Sequence, residues 1–214
     1  MIKRAFDFIG ALSGLILLSP LFLVVIFAQW LVDRGPAFFA QARVGMNGEP
    51  FRMWKFRSMR VANSGPSLTV GADARITPMG RILRKTKIDE LPQLWNVLKG
   101  DMSLVGPRPE LKKYVDLYSP AEREVLNLRP GITDPASFAL FDESELLARS
   151  GDPEAYYRQV LMPEKIRVNI EYARRAGFVS DLLLIFATVV RIVGVELDVF
   201  GKLGMKRPSF GAPA

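Results

Sequence analysis

Two adjacent acidic residues, Asp89 and Glu90, are the candidate reactive groups of this sequence. The chain has no histidine and no cysteine, so acid–base or nucleophilic chemistry must fall to carboxylates, hydroxyls or lysines. An arbitrary acidic pair is more often a helix N-cap followed by a solvated acid. Here, however, four basic residues closely precede the pair: Arg81, Arg84, Lys85 and Lys87. Such cations would gather phosphate oxygens, so the pair is a candidate for chemistry on a phosphorylated substrate.

The composition restricts the metals and partners that the chain can use. Without imidazole or thiolate the remaining ligands are hard oxygens, which favour Mg²⁺ or Mn²⁺ and exclude a thiolate zinc site. A net charge of +7 suits an anionic partner such as a phosphorylated metabolite, an acidic lipid or nucleic acid. The 214 residues are enough for one domain with an appended segment, but not for two large domains.

An apolar run from Phe8 to Val32 contains no ionisable side chain. About 20 such residues can cross a bilayer as a helix, and the run is too long for a typical signal-peptide core. Ser19-Pro20 predicts a bend, because proline removes a backbone donor, and the Ser19 hydroxyl can bond a freed carbonyl. Cations flank both ends, so the positive-inside rule gives no orientation. A kinked spanning helix and a helix that returns to the same face both fit, and physics alone favours the kinked span.

The segment after the apolar run is predicted to form a small β-hairpin. Its strands are Phe38 to Val44 and Phe51 to Met59, on either side of a glycine-containing turn. The next stretch, Ala62 to Ala74, is rich in serine, glycine and small residues, which predicts a mobile loop.

The remainder is predicted to be mainly helical, which makes the fold class α+β. Thr77 with Pro78 is typical of a helix start, and Asp89 is a plausible N-cap for a second helix ending near Gly100. Further helix starts are expected at Ser119-Pro120, Asp142 and Asp152-Pro153. The charged and apolar stretch from Asp181 to Val199 is expected to form a helix that lies at a membrane interface or packs on the domain. The end, from Gly201, is expected to be loosely ordered.

Taken in order, several segments resemble the bacterial sugar transferase family, and in particular its small monotopic phosphoglycosyl transferases. They run from the N-terminus to about Gly131. The matching segments are the apolar start with Ser19-Pro20, Lys55-Phe56-Arg57-Ser58-Met59, Leu83-Arg84-Lys85, Asp89-Glu90-Leu91-Pro92-Gln93-Leu94, Gly100-Asp101-Met102-Ser103 and Gly106-Pro107-Arg108-Pro109.

The resemblance implies transfer of a sugar 1-phosphate from a UDP-sugar to polyprenyl (undecaprenyl) phosphate, with release of UMP. It implies Mg²⁺, a covalent phosphosugar-aspartate intermediate, and a place as the first membrane step of glycan assembly at the cytoplasmic face of the bacterial inner membrane. It further implies a reentrant membrane helix broken at Ser19-Pro20. With the composition of the rest, we expect this helix over residues 1–34, a catalytic domain over residues 35–200 with interfacial helices, and a basic tail over 201–214. Membrane lipid is an expected partner, a homodimer is possible, and nucleic acid is not expected.

The same resemblance gives roles to the two acids. Asp89 matches the nucleophile, and Glu90 matches its partner, which would either hold Mg²⁺ with Asp89 or accept a proton from the incoming phosphate. Gln93 is expected to orient this dyad.

Five basic residues also match the family. Lys55, Arg84 and Arg108 correspond to active-site cations that would neutralise the diphosphate, and Lys3 and Arg4 to cations that would hold lipid headgroups.

The sequence departs from the family after Thr133, where many members have Gly-Trp-Ala-Gln and this chain has Asp134-Pro135-Ala136-Ser137. If this loop contacts the donor, a different sugar would be selected. Two other functions stay open: a membrane-anchored basic protein that binds anions without catalysis, and an inactive scaffold of a glycan assembly complex.

Overall fold

The structure, a computed structural model, describes residues 2–60 and 68–210. Most of these residues are helical, and two small sheets accompany the helices. The predicted α+β, mainly helical class is therefore confirmed. The loop predicted over Ala62 to Ala74 lies partly outside the described residues, and its described part, residues 68–74, forms no helix or strand.

The apolar N-terminal run forms two helices, α1 (Ile2–Leu17) and α2 (Ser19–Val32), which are bent by 56° at the break between them. Pro20 lies in the first turn of α2, and the Ser19 hydroxyl donates to the Ile16 carbonyl at 2.8 Å, as expected for a bend at this position. Among the described residues no single helix is long and apolar enough to cross a membrane, but this bent pair meets both conditions together.

Both ends of the bent pair are tied to the rest of the protein. Near the start of α1, Asp7 accepts hydrogen bonds from the Ser103 hydroxyl and the Leu104 amide. At the end of α2, the fully buried Gln29 donates to the Arg57 carbonyl, and Asp33 accepts from the Thr77 hydroxyl at 2.7 Å. The large apolar side chains between these anchors are mostly exposed: Leu12, Ile16, Leu17, Leu23, Val24 and Phe27.

The hairpin consists of β1 (Phe38–Val44) and β2 (Pro50–Phe56), paired antiparallel with Phe38 opposite Phe56. The prediction that the second strand continues to Met59 is wrong. The chain leaves β1 after Phe56, because the Ser58 carbonyl accepts from the Thr77 amide and Met59 forms an isolated bridge with Ile76.

Helix α3 (Pro78–Lys85) begins as predicted, with the Thr77 hydroxyl accepting from the Gly80 amide. The prediction that Asp89 is an N-cap is wrong. Lys87 adopts a left-handed conformation, so the chain enters a 3₁₀ turn over Ile88–Glu90. Helix α4 (Gln93–Lys99) begins later, without a side-chain cap, and Gly100 follows it as a left-handed C-cap.

Two short parallel strands follow, β3 (Ser103–Val105) and β4 (Gly131–Thr133). Between them lie α5 (Lys112–Val115) and a 3₁₀ segment over Glu122–Asn127. The loops that follow the two strands meet at one edge of this small sheet, since the Gly106 amide donates to the Thr133 carbonyl at 3.1 Å.

The second half is helical. The elements are α6 (Pro135–Ala139), α7 (Glu143–Ala148), α8 (Pro153–Tyr156), a π-helical turn (Tyr157–Leu161), α9 (Met162–Ala173), α10 (Phe178–Ile192) and α11 (Val199–Leu203). Helix α10 ends before the predicted Val199, because Gly194 is left-handed and turns the chain. The predicted tail is not loose at its start, since α11 continues to Leu203 and Met205 is buried in the core.

Candidate active site

Glu90 lies among opposite charges from distant segments. Its Oε1 accepts hydrogen bonds from Lys55 Nζ at 2.8 Å and Arg108 Nη2 at 2.5 Å, and its Oε2 accepts from Arg108 Nη1 at 3.1 Å. Burial alone would raise the pKa of Glu90, but the charges and hydrogen bonds of Arg108 and Lys55 outweigh it and hold this pKa well below its usual range. Glu90 is therefore an ionised carboxylate that fixes two cations.

Asp89 has the opposite environment. The residue is 5% exposed, and among the described residues nothing makes a hydrogen bond or ion pair to its carboxylate. Burial raises the pKa of Asp89, the positive charge of Lys55 opposes this shift, and the negative charge of Glu90 adds to it. Its oxygens thus keep their lone pairs free beside a cationic cluster, as a nucleophile requires.

The loop that carries Arg108 is fixed by close backbone contact at the edge of the β3–β4 sheet. A Cβ on Gly106 would lie 2.2 Å from the Arg129 carbonyl, and one on Gly131 would lie 2.1 Å from the Gly106 amide nitrogen. Only glycine fits at these two positions. The loop is thereby set so that Arg108 reaches Glu90.

Arg84 and Gln93 make no hydrogen bond or ion pair to Asp89 or Glu90 within the described residues. Arg84 adds positive charge near Asp89 and opposes the rise of the Asp89 pKa, but within the described part of the chain it makes no hydrogen bond or ion pair to either acid. The Gln93 side chain is completely buried, and both of its polar atoms lack a partner in residues 2–60 and 68–210. No contact supports its expected orienting role.

A buried polar network behind Arg108 was missed by sequence reasoning. The Tyr157 hydroxyl donates to Glu110, and Lys165 Nζ lies 3.7 Å from Glu110 and 3.1 Å from Glu143. Burial alone would lower the pKa of Lys165, but the two glutamates outweigh it and raise this pKa. Since Glu110 follows Arg108 closely in the loop, the network supports the loop from the side of α9.

Arg43 of β1 belongs to the same network. It donates to the Pro109 carbonyl at 3.2 Å and lies 3.8 Å from Glu110. Burial lowers the pKa of Arg43, and the negative charge of Glu110 opposes this shift. Only the buried packing of the domain brings these residues together, and no local sequence signal marks them.

The predicted headgroup cations lie at the start of α1, and both have partners within the protein. Arg4 donates to the carbonyls of Val97 and Leu98 at 2.5 and 2.8 Å and thus caps the end of α4. Lys3 lies 2.6 Å from Asp181 of α10. About half of the Lys3 side chain remains exposed (47%).

Asp134, which begins the loop that departs from the family pattern, caps α6. Its Oδ1 accepts from the amides of Ala136 and Ser137 at 2.9 and 3.0 Å, and the residue is almost completely buried. Because this loop follows β4, it lies at the same sheet edge as the Arg108 loop.

The dyad offers hard oxygen ligands to a metal ion. In the described residues there is no group of three or more side chains that could hold one. Mg²⁺ is usually bound by one or two carboxylates, with substrate phosphates and water completing its shell. The free Asp89 carboxylate and the one lone pair of Glu90 Oε2 that its three hydrogen bonds leave unused fit such a site.

Comparison with known proteins settles the family. A model of the bacterial sugar transferase family matches residues 1–194. The chain belongs to the bacterial sugar transferase family. Family membership makes it a transferase enzyme.

Its curated relatives include a UDP-glucose:undecaprenyl-phosphate glucose-1-phosphate transferase of Caulobacter vibrioides, 38% identical over 91% of this chain and 70% of the relative. An uncharacterized sugar transferase of Bacillus subtilis is 34% identical over 92% of this chain and 89% of the relative. A UDP-N-acetylgalactosamine-undecaprenyl-phosphate N-acetylgalactosaminephosphotransferase of Aeromonas hydrophila is 35% identical over 90% of this chain. The chain spans only 44% of that last protein.

Proposed function

We propose that this transferase moves a sugar 1-phosphate from a UDP-sugar to undecaprenyl phosphate and releases UMP, as the first membrane step of glycan assembly. The observation that carries the proposal is the Asp89 carboxylate, which is buried and unpaired beside a carboxylate neutralised by two cations. The names of the relatives support the donor and the acceptor.

In the first step an Asp89 oxygen attacks the phosphorus that bears the sugar. A new aspartyl O–P bond forms, the P–O bond to UMP breaks, and UMP leaves with the bridging oxygen and the electron pair. Lys55, Arg108 and the nearby charge of Arg84 offset the repulsion between the carboxylate and the diphosphate and stabilise the phosphoryl group in transit.

In the second step an oxygen of undecaprenyl phosphate attacks the same phosphorus. The O–P bond to Asp89 breaks and the carboxylate is restored. An acceptor that attacks as its dianion has no proton to give up. This agrees with Glu90, whose lowered pKa makes it a weak base and suits it to holding Lys55 and Arg108 in place.

Asp89 and Glu90 are also the residues that would hold Mg²⁺, with oxygens of the donor diphosphate completing its ligands. When bound, the ion supplies positive charge that neutralises the diphosphate.

We further propose that α1 and α2 form a reentrant membrane segment and that the catalytic part lies on the cytoplasmic face of the inner membrane. The support is that Asp7, near the start of the segment, and Gln29 and Asp33, near its end, all contact the same domain. A helix pair with both ends on one domain has both ends on one side of a bilayer. The exposed apolar side chains between these anchors would then lie in lipid.

The test is a screen of UDP-sugars with undecaprenyl phosphate and Mg²⁺ for UMP release, in detergent or nanodiscs. We expect release with at least one donor, its loss in Asp89→Asn, and its retention in Asp116→Asn, a matched change in an exposed ion pair. Mass spectrometry of enzyme mixed with donor alone should find the phosphosugar on Asp89. Turnover that persists in Asp89→Asn would overturn the mechanism. A wild-type protein that binds anions but releases no UMP with any donor would favour the non-catalytic binding protein.

A further inference from the structure

Lys87, just before the dyad, has an unusual backbone conformation. Its φ of 55° and ψ of 12° lie in the left-handed region of backbone conformations, which residues other than glycine rarely occupy. Its carbonyl accepts from the Glu90 amide at 3.1 Å, and its amide donates to the Arg84 carbonyl at 3.2 Å. Lys87 therefore joins the end of α3 to the turn that carries Asp89 and Glu90, and such a conformation persists only when surrounding contacts hold it.

The side chain of Lys87 supplies these contacts. Its Nζ donates to the Phe141 carbonyl at 3.2 Å and lies 4.6 Å from the centroid of the Phe141 ring. This is the geometry of a cation–π interaction. The residue that sets the dyad turn is thus tied to a point 54 residues later in the chain.

A second cation lies over the same aromatic residue. Arg191 Cζ is 5.3 Å from the centroid of Phe141 and 4.9 Å from that of Phe138. Arg191 lies in the last turn of α10. Its side chain is 15% exposed, and its Nη1 lies 3.1 Å from Glu196 in an ion pair without hydrogen-bond geometry. We call Lys87, Phe141 and Arg191 the cation–ring stack.

We propose that Lys87 is a positioning residue for the dyad, and that the cation–ring stack holds it by linking the dyad turn to α10. This inference rests on the proposed function only in the experiments that measure turnover. The argument is that Lys87 combines a strained backbone, two hydrogen bonds to the backbone around the dyad, and a side chain anchored outside the site. Loss of the anchor lets the turn relax, so that Asp89 and Glu90 leave their reactive geometry.

Three substitutions of Lys87 separate the anchor from the backbone conformation. Lys87→Arg keeps a cation over the ring and should keep near wild-type turnover. Lys87→Met keeps the length but removes the charge, and kcat should fall about tenfold or more, with little change in KM because the donor contacts remain. Lys87→Gly favours the left-handed backbone but has no anchor, so its kcat should fall as far as that of Lys87→Met. Wild-type kcat in Lys87→Gly, or a raised KM with unchanged kcat, would overturn the proposal.

The ring is tested in the same way. Phe141→Tyr keeps the aromatic face and should stay active, whereas Phe141→Leu should lower kcat as much as Lys87→Met does. If the two residues act as one unit, the double variant loses no more than either single variant. A loss equal to the product of the single losses would contradict the stack. If Phe141→Leu does not fold, Arg191→Gln is measured in its place. We expect Arg191→Gln to lower kcat about threefold.

Hydrogen exchange gives a readout that needs no turnover. The amides of Glu90 and Leu91 are hydrogen-bonded to the carbonyls of Lys87 and Ile88 at 3.1 Å. We expect faster exchange of a peptide covering this turn in Lys87→Met and Phe141→Leu, and no change in Lys87→Arg. If no donor is turned over by the wild type, the proposed function fails and exchange alone decides the positioning role. Unchanged exchange in both variants would refute it.

Discussion

Arg108 binds Glu90 through two hydrogen bonds, 2.5 and 3.1 Å long, one to each carboxylate oxygen. Two parallel bonds fix the plane of the guanidinium as well as its position. The arginine is held before any substrate arrives, so no side-chain ordering would remain to be done when the proposed diphosphate donor binds.

Arg108→Lys should therefore lower turnover about 10- to 100-fold, although the charge is kept. A lysine ammonium is a point charge that cannot make the two-bond contact, and Glu90 would lose part of its neutralisation. Arg174→Lys, at an exposed ion pair with Glu124, is the matched control and should stay fully active. Steady-state release of UMP measures both. If Arg108→Lys turned over as fast as the wild type, the two-bond contact between Arg108 and Glu90 would be unimportant for catalysis.

The pH dependence of activity should reflect Lys55. Burial lowers the pKa of Lys55. The negative charge of Glu90 opposes this shift, and the positive charge of Arg108 adds to it. Activity that needs the Lys55 cation is complete below its folded pKa and is lost as the pH rises through it, which happens earlier than for an ordinary lysine. In Lys55→Arg the cation persists to higher pH, so the alkaline fall in kcat/KM should move upward. Superimposable alkaline limbs for the two proteins would exclude this role.

The acid side of the same profile should reflect Asp89. Burial raises the pKa of Asp89, so the reactive carboxylate is lost as the pH falls through a value above that of an ordinary aspartate. The rate of the UMP burst at single turnover, measured with donor alone, should fall on this limb. An acid limb at or below the ordinary aspartate range would contradict the assignment of Asp89 as the buried nucleophile.

Asp7 should contribute strongly to stability. It is 2% exposed and accepts from the Ser103 hydroxyl and the Leu104 amide at 2.9 to 3.1 Å. Asp7→Ala leaves the buried Ser103 hydroxyl and the part-buried Leu104 amide without their acceptor, so we expect a loss of about 2–4 kcal/mol in the free energy of unfolding. The thermal midpoint in detergent measures it. Asp116→Ala, in the exposed pair with Lys112, should leave the midpoint almost unchanged.

The reentrant topology can be tested by labelling, because the chain has no cysteine. Single cysteines that replace Ile2 and Arg34, both exposed, should react with an impermeant maleimide from the same side of a membrane vesicle. A cysteine at Leu23, exposed but apolar, should be protected by lipid. Labelling of the two ends from opposite sides would establish a spanning helix instead.

Features encoded by neighbouring residues could be predicted from the sequence. The Thr77-Pro78 helix start depends on a hydroxyl and a fixed φ within one turn, and the first hairpin strand on a local pattern. The second strand was predicted too long, because the Ser58 carbonyl bonds a residue much later in the chain. Asp89 was wrongly predicted to be an N-cap, because the left-handed Lys87 is stabilised by Phe141, which no local pattern reveals.

The residues of the candidate site likewise divide into those that the sequence indicates and those that only the folded structure reveals. The position of Glu90 in an acidic pair among basic residues selects it, the resemblance selects Lys55 and Arg108, and the structure brings the three within hydrogen-bond distance. Lys165 gave no signal, since a lysine in an amphipathic helix is ordinarily solvated. Its burial follows from the two glutamates that approach from other elements.

Anchoring α1 and α2 to one body also has a consequence for how the two substrates arrive. Asp89 would stand at a fixed height above the headgroups, set when the chain folds, because Asp7 and Asp33 hold both ends of the segment on the domain. A lipid-linked acceptor would then reach the enzyme by lateral diffusion in a plane, whereas the water-soluble nucleotide sugar approaches from the open volume. Dilution of the acceptor within the bilayer, rather than its total amount in the sample, would govern the rate of the second step.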